Sequence, residues 1–122
     1  MRFESAALSP AWLWSSPFVR WQGSLADVSS SQLAAAVTRA ALAQRQVDAT
    51  TLDGLVVGQT VPQRHSFYLA PWLASQLGLP GLTGPVIAQA CATSVACIVA
   101  AAEAVERAGT GAQLVVAMDR TS

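Results

Sequence analysis

Residues 85–109 read PVIAQACATSVACIVAAAEAVERAG, a short apolar run that passes into a helix with no intervening glycine or proline. Residues 85–89 have the length and composition of a buried strand, and residues 90–94 surround Cys91 with small side chains. Residues 95–108 are helical in composition, and the glycines at 109 and 111 stop the helix. A strand that hands over to a helix in this way is a unit of layered α/β architecture.

Residues 112–118, AQLVVAM, give a strand candidate downstream with both faces apolar, and residues 54–58, GLVVG, give another upstream. Residues 48–53 read as the turn feeding that upstream strand. Before it, Asp27 or Ser29 can cap a helix running to about Gln46, with an apolar stripe at Leu33, Ala36, Val37 and Ala40. This phase turns Thr38, Arg39 and Arg45 outward. A further helix is predicted from Arg64 or Ser66 to Leu77, with Pro71 inside it as a kink or restart and residues 78–81 ending it.

Helices alternating with short two-sided strands predict an α/β fold, a mostly parallel mixed sheet with packed helices. The 24 alanines favour close approach of helix to sheet. Three or four strands with no closing helix leave the last strand uncovered, so the fold is expected to be incomplete on its own. Residues 1–26 are irregular and hold Trp12, Trp14 and Trp21 among prolines and serines. They read as an arm or loop with room for a short first strand at residues 1–8, leaving 27–122 as the partial α/β domain. Its indoles would pack against something else or gather as an aromatic ligand box.

With 122 residues, 52% hydrophobic and 11% charged, the chain has material for one core. Seven arginines and no lysine balance seven acids, which argues against a nucleic-acid partner. No charged side chain lies between Ser66 and Ala102, but prolines and glycines break that stretch. The remaining run, residues 86–102, is alanine-rich, carries Gln89, Thr93 and Ser94, and falls short of the roughly 20 strongly apolar residues of a membrane span. A buried helix, with no transmembrane segment, is the expectation. The first five residues lack the apolar run of an export signal. Two cysteines, Cys91 and Cys97, make no disulfide framework, and on one helix they would be separated by about 9 Å of rise. A reducing compartment, the cytoplasm, follows as the expected location.

Cys91 is the candidate for chemistry. At the start of a helix, terminal amides and the macrodipole favour a thiolate, and the same N–H groups can meet the charge that develops on a carbonyl oxygen. The competing reading is a small buried hydrophobe, as many free cysteines are. Cys97, among Val95, Ala96, Ile98 and Val99, reads as core. The single histidine, His65, has no motif linking it to Cys91, so the base that a nucleophile requires is expected elsewhere. Glu103, Glu106 and Arg107 read as a solvated helix face. No spacing resembles a metal site or a phosphate loop.

Four islands in order, SPFVRWQGSL at 16–25, Gly58-Gln59, ACATS at 90–94 and AQLVVAMDRTS at 112–122, resemble the N-terminal part of the thiolase family, whose members make or cleave the carbon–carbon bond of 3-ketoacyl-CoA thioesters. The resemblance implies that Cys91 is the acyl-accepting cysteine. It implies a coenzyme A thioester as substrate and no permanently bound cofactor. The family commonly has Asn-Arg ahead of the cysteine and Ser-Gly beyond it, where this chain has Ala88-Gln89 and Thr93-Ser94.

Family enzymes are about three times as long, and their second cysteine and histidines come from the later part. The resemblance therefore implies a companion, either a C-terminal thiolase-like portion or a second polypeptide, and a homo-oligomer with Cys91 near the subunit contact. Its metabolic setting would be lipid metabolism. Two alternatives stay open: a decarboxylating ketosynthase-type condensing enzyme, and a non-catalytic thiolase-like structural subunit.

Overall fold

The computed structural model describes residues 2–64, 66–109 and 111–119. Its elements run α1 (Ser30–Gln44), β1 (Leu52–Gln59), α2 (Leu69–Gln76), β2 (Val86–Ile87), α3 (Thr93–Ala108) and β3 (Ala112–Met118), with short 3₁₀ turns at Pro10–Trp12, Ala49–Thr51 and Ala90–Ala92. The three strands form one sheet in the order β2-β1-β3, and both pairings are parallel. This is the expected α/β class, an open sheet with helices on both faces.

β1 is the central strand because its Leu-Val-Val run can be buried on both sides, and residues 54–59 are buried without interruption. It pairs with β3 from Leu52 opposite Ala112 to Gln59 opposite Met118. The register shifts between Leu52 and Gly54, and there Asp53 Oδ2 accepts the Ala112 N–H at 2.8 Å, fastening the start of β3. On the other side Val57 faces Val86. The pairing is extended by N–H groups of Leu55 and Val57 that donate to the carbonyls of Thr83 and Pro85, each at 3.0 Å.

The two sheet faces carry separate cores. Leu55, Val57, Leu114, Val116 and Met118 pack with Ala35 of α1 and Leu69, Leu73 and Ala74 of α2. Val56 meets Cys97 and Ala101 of α3, flanked by Ile87 and Val115. Each fully buried Leu or Val in these layers contributes about 2 kcal/mol. α3 leaves Val95 and Ile98 exposed.

α1 begins as predicted at a Ser29 cap, whose Oγ accepts the Gln32 N–H at 3.2 Å. Its buried face differs from the expected stripe. Ser30, Ala35, Thr38 and Ala41 are buried, Ala36 and Ala40 are exposed, and Thr38, expected outside, is 1% exposed. Alanines on every side of this helix leave its phase open, and the sheet selects the small residues that let the backbone come close. Arg39 is exposed as expected, but Arg45 folds back. Its Nη2 and Nε donate to the Leu13 carbonyl at 2.7 Å and the Ala11 carbonyl at 3.3 Å, and its guanidinium carbon lies 5.7 Å from the Trp14 ring centroid.

α2 starts later than predicted. Pro71 falls in its first turn, where a missing N–H costs no helical bond, so it neither kinks nor restarts the helix. The strand expected over 85–89 narrows to Val86–Ile87. α3 begins at Thr93, two residues before the expected start, and Gly109 closes it at φ 71°, with its N–H on the Val105 carbonyl at 2.9 Å.

Among the described residues the N-terminal segment has no strand; it holds the 3₁₀ turn at Pro10–Trp12 and a run of hydrogen-bonded turns over 20–28. Trp14 packs against the first core, whereas Trp12, Phe18 and Trp21 are exposed. Glu106, expected on a solvated face, instead accepts the N–H groups of Ser5 and Ala6, the latter at 2.7 Å, and so pins this segment to α3. No described helix is long and apolar enough to cross a membrane.

Candidate active site

Cys91 stands in the middle of the 3₁₀ turn Ala90–Ala92, between β2 and the first residue of α3, and it is exposed. Three residues past the end of β2, the chain enters a conformation uncommon for an L-residue: Ala90 has φ 47°. A single left-handed alanine costs about 1–2 kcal/mol, so the surroundings must enforce it. They do so through Thr93, whose Oγ1 accepts the Gln89 N–H at 2.9 Å and donates to the Ala90 carbonyl at 2.7 Å. The Ala92 N–H donates to the Gln89 carbonyl at 3.0 Å and completes the turn.

Cys91 lines a shallow open depression of about 210 Å³, together with Thr60, Ala90, Thr93, Ser94, Ala117, Met118 and Asp119. Thr60 follows β1, and Met118 and Asp119 lie at the end of β3, so the depression sits at the carboxyl ends of parallel strands. Open α/β sheets bind ligands at this edge. α3 has no side-chain cap at its start. The 3₁₀ turn runs straight into it, and the Thr93 N–H, at its first position, donates to the Ala90 carbonyl.

The structure separates the two cysteines. Cys97 is fully buried against Val56, and burial pushes its thiol above the ordinary value. Gly58 makes room for it: a Cβ there would stand 2.7 Å from Cys97 Sγ, 2.9 Å from Thr93 Cγ2 and 3.2 Å from the Ala117 Cβ. The first turn of α3 is thus pressed directly onto β1. Cys97 is core, as its apolar neighbours imply.

His65 lies outside the described residues. The carboxylate that lines the depression is Asp119. Glu103 lies along a second open groove, with Ile87, Val95 and Val99. Among the described residues no group of three or more His, Cys, Asp or Glu is placed to hold a metal ion.

Sequence reasoning placed Cys91 at a strand-to-helix junction, where it stands, and missed how it is held. Thr93 reads there as one of several small residues leaving room for a substrate, yet it is 3% exposed and bonded to the turn. A threonine at the first position of a helix, with a side chain able to reach the preceding backbone, was the available signal. Thr60 and Asp119 come to the depression only through the register of the sheet.

A strand-to-helix turn carrying an exposed cysteine, at the carboxyl edge of a parallel sheet, is where the sequence islands at Gly58, at 90–94 and at 112–119 come together. The family described as thiolase, N-terminal domain, matches residues 14–120. The chain belongs to the thiolase family, a family of acyltransferases. No curated protein matches the chain.

Proposed function

We propose that this chain is the nucleophile-bearing part of a thiolase-like acyl-CoA acyltransferase, with Cys91 as the acyl acceptor. The exposed position of Cys91 on the turn that opens α3, beside a depression with room for a carbonyl group, carries this reading. The Cys91 thiolate attacks the thioester carbonyl, and backbone N–H groups past Thr93 at the start of α3, whose own N–H is held by the Ala90 carbonyl, stabilise the oxyanion. The carbon–sulfur bond to coenzyme A breaks, coenzyme A leaves and takes up a proton, and a new thioester joins the acyl group to Cys91. In the synthetic direction the enolate of a second acyl-CoA attacks that acyl group and releases the Cys91 thiolate. In the degradative direction, the Cys91 thiolate attacks the keto carbon of a 3-ketoacyl-CoA, the carbon–carbon bond breaks, the enolate of an acyl-CoA leaves and takes up a proton, and the thiolate of free coenzyme A then takes the remaining acyl group and releases the Cys91 thiolate.

The enolate requires a base. In this reading it comes from a companion thiolase portion, in the same polypeptide or in a second one, within a cytoplasmic homo-oligomer. Coenzyme A acts as part of the substrate and not as a resident cofactor.

Incubation with acetyl-CoA, alone and with the companion portion, tests this by mass spectrometry of the Cys91 peptide. One acetyl group on Cys91, absent from Cys91→Ala, is expected. An unmodified Cys91 in both settings overturns the reading and favours a thiolase-like subunit that keeps the fold without turnover. Carbon dioxide release from a malonyl thioester would instead favour the decarboxylating ketosynthase-type reaction.

A further inference from the structure

Thr93 joins the turn that carries Cys91 to the sheet beneath it. Its hydroxyl faces the turn: Oγ1 accepts from Gln89 N–H at 2.9 Å and donates to the Ala90 carbonyl at 2.7 Å. These are the two residues immediately before the cysteine, and Ala90 is held at φ 47°. Its methyl faces the sheet, where a Cβ on Gly58 would come within 2.9 Å of Cγ2. Thr93 is 3% exposed, at the edge of the depression that Cys91 lines.

We propose that Thr93 is a positioning residue for Cys91, its hydroxyl holding the turn closed and its methyl seating that turn on β1 at Gly58. The two halves of the side chain have separable consequences. Losing the hydroxyl frees the Gln89 N–H and leaves the Ala90 carbonyl with the Thr93 backbone N–H alone, so Ala90 relaxes out of its left-handed conformation and Cys91 leaves the start of α3. Losing the methyl leaves both bonds in place. The inference rests on Cys91 being the acyl acceptor, but alkylation and hydrogen exchange can judge it without acyl transfer.

The test compares the full-length wild-type chain with Thr93→Val, which keeps the shape and loses both bonds, and Thr93→Ser, which keeps the bonds and loses the methyl. Iodoacetamide modification of Cys91 is followed by peptide mass, with an unstructured peptide of residues 86–96 as the reference thiol. Exchange of the Gln89 amide is read in parallel. Wild-type Cys91 should alkylate roughly tenfold faster than the peptide, as a thiol set at a helix start does. Thr93→Val should fall to the peptide rate and lose Gln89 protection, and Thr93→Ser should hold the wild-type rate and protection.

A wild-type rate equal to that of the peptide overturns the inference. So does a Thr93→Val protein that keeps wild-type rate and protection, or a Thr93→Ser protein that loses as much as Thr93→Val. If circular dichroism shows Thr93→Val unfolded, Thr93→Ser decides, since retention supports the role of the hydroxyl and loss refutes it. Should acetyl-CoA leave wild-type Cys91 unmodified while alkylation follows the expected pattern, acyl transfer fails and the positioning role stands.

Discussion

Arg45 Nη2 donates to the Leu13 carbonyl at 2.7 Å, joining the end of α1 to a segment 32 residues earlier in the chain. The same guanidinium reaches the Ala11 carbonyl and lies 5.7 Å from the centre of the Trp14 ring. Arg45→Ala should therefore release the tryptophan-bearing segment and cost about 1–2 kcal/mol. Faster tryptic cleavage after Arg20, with an unchanged Cys91 alkylation rate, is the expected result.

Gly84 lies where a Cβ would collide with the backbone carbonyl of Leu55. Its neighbours Thr83 and Pro85 accept the Leu55 and Val57 N–H groups, so the collision cannot be relieved without opening the β1–β2 pairing. Gly84→Ala should destabilise by about 3 kcal/mol or more, measured as a lower denaturant midpoint.

The two thiols should separate in a native thiol assay. Cys91 reacts quickly, and Cys97 reacts only after denaturant is added. Burial raises the Cys97 thiol above its ordinary 9.0, so the folded chain keeps a proton that the unfolded chain gives up. That contribution to stability is fully present below the unfolded value and is lost as pH rises toward the folded one. Urea midpoints at about pH 8 and pH 10 should show an alkaline decline that Cys97→Ala reduces.

Glu106 gives the opposite sign. Accepting the Ala6 and then the Ser5 N–H lowers its carboxyl below the ordinary 4.5. The N-terminal attachment is thus present above the unfolded value and lost as pH falls through the folded one. Exchange of the Ser5 and Ala6 amides should lose protection on acidification, and Glu106→Ala should remove that protection at neutral pH.

The strands were legible because their composition permits little else. Val56-Val57 and Val115-Val116 are β-branched pairs flanked by turn residues, and both lie in the sheet as predicted. Gly109 likewise marks the end of α3. The face of α1 was not legible, since Ala34, Ala35, Ala36, Ala40, Ala41 and Ala43 surround the helix and carry no directional signal. Pro71 announces a break or a first turn equally well, and only the position of Leu69 settles it. At the site, composition pointed to Cys91. Nothing in an alanine foretells φ 47° at residue 90, and nothing in a glutamate foretells that Glu106 holds the chain's beginning.

The register that sets residue 52 beside residue 112 also dictates the order of events as the chain is made. The turn with its thiol lies inside the long loop closed by that pairing, and such distant pairings form slowly. A nascent chain arrested before β3 would carry the cysteine with no floor beneath it, because Ala117, Met118 and Asp119 complete the depression last. The wall of the depression around the thiol is therefore complete only once β3 has been made.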